Sequence, residues 1–504
     1  MTSTGTIEGP GWCSPGLDTK GSRFPLRVEA PVMNLVDALV PGVSTMTSNS
    51  RYYGLYWALA DYAHARDLDT PTCRTLLRRA EYSLALASLF DPATGALSGP
   101  GTVHGAETVR ARRSTMPVEQ IVAEGSRSYS PRAWGFWSQY KGPSVILGIA
   151  ATEREALRRG PRTSPPAARA MFADLFEVNS ERPISADEAV HFAALTRTEP
   201  DAADIEPLRD IMTAPRVENR ATWTANDHTR RSTYRLLARA VQLQPGTGTW
   251  TRHFVDAVAY GSALETDPVL VSEGVRARAW RGLLLRHHSV GAWRRFWATL
   301  VDHVWQAGEP VSRAQLHEWI RGQVTDGSVT SFLNDCPAPF DAVGHPAPAE
   351  ATVRALRSAI EADLAILLLG SIRDDRLTGT TQHAFRGRSS RSRFLDPAWV
   401  AHQRREFAER SLSDFACRLV DDMLAQAHRV ALLKMQIDGN NRMKLPTKLH
   451  ERNGRYFANG REGAGNVGLR IDQLGEIGRQ LGLFEVAGKS ATVTDRAVTL
   501  LELA

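Results

Sequence analysis

Basic side chains cluster in two segments of the chain, where they could hold phosphate groups. The first segment is rich in serine, and Asp396 is its only acidic residue. Hydroxyl and guanidinium groups both donate hydrogen bonds to phosphate oxygens, so this composition favours contact with a nucleic-acid backbone. A solvated loop in an arginine-rich chain is the alternative interpretation. The nucleic-acid-binding candidates in this segment are Arg386, Arg388, Arg391, Arg393, Arg404 and Arg405.

The second basic segment follows a long helical pattern and combines cations with aromatic rings. Three of the six lysines of the chain lie between residues 434 and 448. Tyr456 and Phe457 lie inside the segment, where their rings could stack on bases. We therefore predict that both segments contact DNA. The candidates in the second segment are Arg442, Lys444, Lys448, Arg452, Arg455 and Tyr456.

No motif of a known catalytic centre accompanies these cations. The chain has no Walker A loop, no HExxH, no GxSxG and no GxGxxG after a predicted strand. His287 and His288 are adjacent, so on a helix they point about 100° apart and do not easily share one metal ion. The four cysteines lack CxxC spacing. We expect no metal and no cofactor, and a non-catalytic role is favoured, although the sequence leaves the question of an enzyme open.

A glycine-rich stretch, NGREGAGNVGLR, has the composition of a phosphate-binding loop. No predicted strand precedes it, so we interpret it as a loop that leads into a helix. Tryptophans form a second pattern, with Trp293, Trp297 and Trp305 at helical steps of four and eight. Such a stripe is typical of a core or of an interface between helical layers.

Composition places the chain among soluble globular proteins. It has 504 residues, of which 42% are hydrophobic and 23% charged. The longest apolar run, at Leu364 to Leu369, is too short to cross a membrane, and the first residues lack the apolar core of a signal peptide. We therefore expect a cytoplasmic protein with no membrane partner. The net charge is +6, and 55 of the 61 basic residues are arginines. Such an excess of arginine indicates either a GC-rich bacterial genome or a nucleic-acid partner.

Hydrophobic periodicity predicts a mainly α-helical fold, with multi-helical N-terminal and central regions. Thr72 is the predicted N-cap of an early helix, and Ser312 with Gln315 is a predicted capping box. The predicted organisation is an irregular arm at 1–30, helical domains at 31–160 and 161–330, a Pro-rich linker at 331–350, a long-helix region with basic loops at 351–465, and a winged-helix-like module at 466–504.

The last forty or so residues read as helix, hairpin, helix. Gly482 ends the first helix, two β-prone runs meet at Gly488 and Lys489, and Thr494 is the predicted N-cap of the last helix. This order is typical of the second half of a winged-helix module, which usually binds DNA or acts as an interaction surface. A small α+β tail without a partner is the alternative.

Residues 39–63, LVPGVSTMTSNSRYYGLYWALADYA, resemble the opening of uncharacterised bacterial proteins found beside antiphage-defence genes. In that family a Pro-Gly-x-Ser-Thr turn leads into a helix that starts Arg-Tyr-Tyr. The matching residues are Pro41, Gly42, Ser44, Thr45, Arg51, Tyr52 and Tyr53. The family offers no catalytic residues to transfer. The resemblance implies a multi-gene phage-defence setting, alongside a helicase, nuclease or methyltransferase that performs the chemistry.

These observations together predict a non-catalytic DNA-binding or scaffold component of a bacterial antiphage-defence system. Two alternatives stay open. One is a nuclease with a divergent active site, and the other is a protein-interaction subunit that uses the tryptophan stripe and binds no nucleic acid.

Overall fold

The structure is a computed structural model that describes residues 22–93, 102–113, 115–128, 135–154, 156–215, 223–244, 246–387, 394–437 and 443–504. The described chain is mainly α-helical, as the sequence predicts, and it also contains small antiparallel sheets. Within these ranges, none of the helices combines the length and the apolarity needed to cross a membrane.

Helices occur along the whole described chain. They are α1 (Ala30–Leu39), α2 (Arg51–Ala65), α3 (Thr70–Ala87), α4 (Ala106–Arg113), α5 (Val118–Ser128), α6 (Lys141–Ile146), α7 (Pro166–Glu181), α8 (Ala186–His191), α9 (Ile205–Thr213), α10 (Ala225–Leu243), α11 (Trp250–Val258), α12 (Ala263–Thr266), α13 (Pro268–Ser272), α14 (Gly274–Ala307), α15 (Arg313–Arg321), α16 (Val329–Asn334), α17 (Ala349–Leu356), α18 (Ala359–Arg376), α19 (Gly379–Arg386), α20 (Pro397–Glu406), α21 (Leu412–Leu433), α22 (Ile471–Gln480) and α23 (Asp495–Leu501).

The strands are short and pair in antiparallel fashion. They are β1 (Ala150–Glu153), β2 (Ala156–Arg159), β3 (Val311–Ser312), β4 (Gln436–Ile437), β5 (Met443–Lys444), β6 (Leu449–Arg452), β7 (Arg455–Ala458), β8 (Phe484–Ala487) and β9 (Ser490–Val493). The hairpins are β1–β2, β4–β5 and β8–β9, and β3, β7 and β6 form a three-stranded sheet in that order.

The chain divides into two compact units that alternate along the sequence. Unit 1 holds the residues up to Leu35, Val258–Leu264 and Ala277–Val467. Unit 2 holds Val36–Ala257, Glu265–Arg276 and Gly468–Ala504. The domain boundaries expected near 160 and 330 fall inside these units, and the proline-rich segment 331–350 lies within unit 1.

Local capping signals explain where several helices begin. Ser312 and Gln315 form the predicted capping box of α15, and Thr494 caps α23 as predicted. The N-cap predicted at Thr72 is wrong. Asp69 caps α3 instead, because its carboxylate accepts the backbone N–H of Thr72 at 2.9 Å. Aspartate is an equally good N-cap, and Pro71 is tolerated inside the first turn because it has no N–H to lose.

The core of unit 2 surrounds α2, which is buried on every side from Arg51 to Ala63. A cluster of tyrosines lies here, and the rings of Tyr53 and Tyr140 pack at 5.0 Å. Glu81 of α3 is buried beside this cluster and accepts hydrogen bonds from the Tyr56 hydroxyl at 2.8 Å and the Phe136 N–H at 2.7 Å. The segment that carries the family resemblance is therefore part of the core of unit 2.

The helix, hairpin and helix predicted at the end of the chain are present as α22, β8–β9 and α23. They pack against α10, which lies more than two hundred residues earlier. Thr247, just after α10, forms an isolated antiparallel bridge with Ser490 of β9. Trp250 at the start of α11 packs on Phe484, with ring centroids 4.9 Å apart. Two separated stretches of sequence thus build one small α+β assembly within unit 2.

In unit 1, helix α14 carries the tryptophan stripe. Trp293 and Trp297 are buried, whereas 45% of the Trp305 side chain is exposed. Gly282 lets α19 approach α14 closely, because a Cβ atom there would lie 2.2 Å from the Thr381 carbonyl oxygen. The first two tryptophans therefore belong to the core, and Trp305 is the member of the stripe that remains exposed.

Candidate nucleic-acid interface

The second basic segment forms a β-hairpin rather than an irregular loop. Strands β6 and β7 are joined by Asn453 and Gly454, whose φ angles are +54° and +71°. Two consecutive positive φ values are characteristic of the type I′ turn, and Asn-Gly is its preferred sequence. Arg452 and Arg455 flank the turn as direct cross-strand partners, and both are exposed. The turn therefore holds two cations side by side at the end of the hairpin.

One face of this hairpin combines cations with stacked rings. His450 pairs with Phe457 across the strands, and their rings stack with centroids 5.3 Å apart and an interplanar angle of 17°. Side chains alternate between the two faces of a strand, so His450 and Phe457 share a face with Arg452 and Arg455. We call these four residues the hairpin face. Burial lowers the pKa of His450, so this imidazole is neutral near pH 7.

Tyr456, the aromatic residue chosen from the sequence, lies on the opposite face. It pairs with Glu451 on one side and with Val311 of β3 on the other. Burial raises the pKa of Tyr456. The ring that accompanies the arginines is therefore Phe457, its neighbour in sequence.

The described arginines of the first basic segment are each paired with a carboxylate of α18. Arg386 ends α19 and binds Asp374 through Nε at 2.7 Å and Nη2 at 2.9 Å. Arg404 and Arg405, in the last turn of α20, lie 2.5 Å and 3.6 Å from Asp375. These three residues are thus on helices and not in a loop, and their charges are partly offset by their partners.

The remaining candidates have other surroundings. The Lys448 Nζ donates to the Arg461 carbonyl oxygen at 2.6 Å and lies 3.5 Å from Glu462. Lys444 is half-buried in β5. Arg388, Arg391, Arg393 and Arg442 lie outside the described residues. Of the twelve candidates, the structure brings Arg452 and Arg455 together in one exposed pair.

The glycine-rich stretch is a loop that leads into a helix, as predicted. The prediction that no strand precedes it is wrong. Strand β7 ends at Ala458 directly before it. The loop runs beside α14, where Gly465 accepts a hydrogen bond from Arg294 and Asn466 Nδ2 donates to the His287 carbonyl oxygen at 2.9 Å. These contacts with side-chain and backbone atoms of α14 hold the loop against that helix.

Four polar side chains of unit 1, which we call the polar centre, interact in a way that the sequence does not predict. His288 Nε2 lies 2.8 Å from the Tyr260 hydroxyl, which donates to Glu350 Oε2 at 3.4 Å. Glu350 also accepts from Arg373 Nε at 3.1 Å and Nη2 at 3.0 Å. Burial lowers the pKa of His288. The four residues come from a loop, α14, α17 and α18, and no sequence spacing links them.

The described residues include no group of three or more His, Cys, Asp or Glu side chains able to hold a metal ion. No protein-family model, no curated protein and no solved structure matches the chain. The geometry of these sites is therefore the basis for assigning a function.

Proposed function

We propose that the protein is a non-catalytic DNA-binding component of a bacterial antiphage-defence system. The observation that carries DNA binding is the hairpin face, in which two exposed arginines flank a type I′ turn beside stacked His450 and Phe457 rings. Arginine contacts phosphates, and an aromatic ring offers a stacking surface to unpaired bases. The defence setting is supported by the resemblance of residues 39–63 alone.

Cations elsewhere in the chain are less suited to this role. Arg386 and Arg404 are held by aspartates of α18, so part of their charge is already neutralised. In the part of the chain that the structure describes, no carboxylate lies within ion-pair distance of Arg452 or Arg455. Their charge is thus available to an external polyanion.

A titration of the purified protein against duplex and single-stranded DNA tests this proposal, at two salt concentrations and with or without magnesium. We expect salt-sensitive binding and intact DNA. Cleavage that requires magnesium would replace the proposal with a divergent nuclease. Absence of binding at both salt concentrations would replace it with a protein-interaction subunit.

The small α+β assembly of unit 2 favours a second function, as a scaffold. A winged helix orders helix, strand, helix, helix and hairpin, with its first strand paired to its last. Here α10, Thr247, α11, α22 and β8–β9 follow that order. We infer a discontinuous winged helix, interrupted between α11 and α22 by residues that belong mostly to unit 1.

The helix that would read DNA in such a module is α22, and its charges oppose that use. Asp472 and Glu476 occupy its outer side, and Glu476 is bound by Arg479 Nη2 at 2.7 Å. Carboxylates repel phosphates, so we assign this module to protein contacts. Exposed Val486 of β8 borders a pocket of about 750 Å³ beside α22.

Co-purification with a helicase, nuclease or methyltransferase of the proposed defence system tests the scaffold role. We expect V486E to abolish co-purification and to leave DNA affinity unchanged. Loss of DNA affinity in V486E, with co-purification retained, would instead assign the module to DNA.

A further inference from the structure

Unit 1 contains a cavity of about 210 Å³, which the segment 22–29, helix α14 and the ends of the β6–β7 hairpin line together. A cavity of roughly 150 Å³ holds one benzene ring, so this larger one has room for a flat heterocycle. Arg23, also in the lining, is exposed, and the cavity therefore reaches solvent on that side. The residues used below are Phe24, Glu29, Arg294, Trp297, Lys448 and Glu462.

Helix α21 and the residue that follows it hold the segment 22–29 in place. Gln426 Nε2 donates to the Leu26 carbonyl oxygen at 3.0 Å, and Lys434 Nζ lies 3.5 Å from the Phe24 carbonyl oxygen, to which it donates. Phe24 has a φ of +60°, which is unfavourable for a bulky residue and persists only where the surroundings impose it. The contacts with α21 supply that constraint, so the cavity has a fixed aromatic wall.

The charged side chains of the wall are already paired with one another. Arg294 Nη1 donates to Glu29 Oε1 at 2.8 Å, and Lys448 Nζ lies 3.5 Å from Glu462 Oε2. Lys448 Nζ also donates to the Arg461 carbonyl oxygen at 2.6 Å. Two cations and two carboxylates cancel in charge. The wall therefore favours a ligand whose bound part is uncharged.

One hydrogen-bond donor and two acceptor groups of the wall remain available. Trp297 Nε1 and Glu29 Oε2 are buried and have no hydrogen-bond partner within the described residues. Glu462 keeps acceptor capacity beside its ion pair, because a carboxylate accepts about four hydrogen bonds. Burial raises the pKa of Glu462, and the neighbouring Lys448 and Trp297 oppose this shift. Buried polar atoms without partners are rare in proteins, so their presence in a cavity wall indicates a ligand.

We propose that this cavity binds a guanine base. The Watson–Crick edge of guanine presents one acceptor, O6, and two donor groups, N1–H and N2–H₂, which complement one donor and two acceptors. Cytosine and thymine each present two acceptors and one donor group, and adenine presents one of each. The Phe24 ring and the Arg294 guanidinium, which lies 5.4 Å from the centre of that ring, offer flat surfaces on which a base stacks.

The guanine belongs either to a free nucleotide or to an unpaired position in DNA. Lys448 directly precedes β6, and four residues of extended chain, about 13 Å, separate it from Arg452 of the hairpin face. A DNA strand held by the hairpin face thus passes close to the cavity. Capture of a guanine from DNA rests on the proposed DNA binding and adds a base preference to it, whereas capture of a free nucleotide does not depend on that function.

Isothermal titration calorimetry of the full chain with four mononucleotides tests the proposal. The ligands are guanosine, inosine, adenosine and cytidine monophosphate, which share the phosphate and differ in the base. We expect guanosine monophosphate to bind at least tenfold more tightly than the other three, including the inosine nucleotide, which lacks only the 2-amino group. Absence of binding, or equal binding of all four, overturns the proposal.

Variants of the wall connect this binding to the cavity. E29Q changes a buried acceptor, and W297F removes the indole N–H while it keeps an aromatic ring, so each should weaken guanosine monophosphate at least tenfold. E309Q is the matched control, because Glu309 is an exposed carboxyl between α14 and β3, and it should bind as the unaltered protein does. Melting temperatures show which variants are folded. Unchanged affinity in a folded E29Q or W297F variant overturns the assignment to this cavity.

Oligothymidine strands that carry one central guanine or one central hypoxanthine distinguish the two sources. A preference for guanine that E29Q removes, together with equal weakening of both strands in R452E/R455E, supports capture from DNA. Nucleotide binding without that preference supports the free nucleotide. DNA binding with neither preference nor nucleotide binding overturns the cavity proposal alone, whereas nucleotide binding without any DNA binding overturns the proposed DNA binding alone.

Discussion

Arg452 and Arg455 are direct cross-strand partners, although only Asn453 and Gly454 separate them along the chain. Like charges placed opposite each other destabilise a strand pair by a few tenths to about 1 kcal/mol. A polyanion bound between them would remove this repulsion. DNA should therefore stabilise the hairpin that binds it, and the turn supplies the geometry that keeps both cations in place.

Reversing the charges of the hairpin face should weaken DNA binding strongly. We expect R452E/R455E to lose roughly 10- to 100-fold in affinity near 0.1 M salt, and the slope of log K against log salt to fall by about 2, because two phosphate contacts are removed. Fluorescence anisotropy across a salt series measures both. The control R278E reverses one charge at an exposed position of α14, and an equal loss of affinity per reversed charge there would show that only net charge matters.

Reversing Arg388, Arg391 and Arg393 to glutamate should weaken DNA binding without lowering thermal stability. The comparison variant is R386E, which should lower the melting temperature. The reason is that Asp374, with a side chain only 2% exposed, would lose its bidentate partner. Differential scanning fluorimetry and the same anisotropy assay separate the two effects. Unchanged affinity in the triple variant would remove these three arginines from the interface.

The turn of the hairpin should be sensitive to a side chain at Gly454. Its φ of +71° is unfavourable for alanine, and we expect G454A to lower the free energy of unfolding by roughly 1–2 kcal/mol. DNA affinity should fall too, because Arg452 and Arg455 lose their alignment. Gly463 has open space around its Cα, so G463A is the matched control and should change neither quantity. Equal stability of the two variants in urea denaturation would contradict the assigned turn.

Glu81 should make unit 2 less stable as the pH rises. Burial raises the pKa of Glu81 from 4.5 to about 7, although the Phe136 N–H and the Tyr56 hydroxyl both oppose this shift. The folded state therefore holds the proton more tightly than the unfolded chain. This stabilisation is complete below about pH 4.5 and is lost as the pH approaches 7, by roughly 3 kcal/mol in total.

E81Q removes this titration and should flatten the dependence of unfolding free energy on pH between 5 and 8. Urea denaturation at those two pH values measures the effect. E119Q changes an exposed carboxyl of α5 and should keep the pH dependence of the unaltered protein. A pH dependence in E81Q equal to that of E119Q would show that Glu81 is ionised in the folded state.

Local patterns predicted those features that depend on a few neighbouring residues. The capping box at Ser312, the cap at Thr494 and the hairpin around Gly488 all depend on contacts within four residues or so, and all are present. The same rules were available for Asn453 and Gly454, where Asn-Gly is the strongest short signal for a hairpin turn. Strand alternation from this turn places Phe457, and not Tyr456, on the face that carries Arg452 and Arg455.

Sites built from distant residues had no comparable signal. Tyr260, His288 and Glu350 lie on different elements, and only the folded chain brings the Tyr260 hydroxyl within 3.4 Å of both His288 and Glu350. The adjacent His287 and His288 have separate partners, the Val467 carbonyl oxygen and the Tyr260 hydroxyl. Tertiary contacts of this kind depend on helix packing, which hydrophobic periodicity does not specify.

The order in which the ribosome delivers the chain has a consequence for unit 2. Helix α10 is synthesised long before α22, β8–β9 and α23, which cover it. At 5 to 20 residues per second, the intervening segment takes roughly 10 to 45 s to emerge. During that interval the part of α10 that these later elements cover is exposed, while α9 and α13 can already pack on the rest of the helix. We therefore expect the nascent chain to bind chaperones during this interval, and a chain broken off before residue 468 to expose that part of α10 and to aggregate more readily.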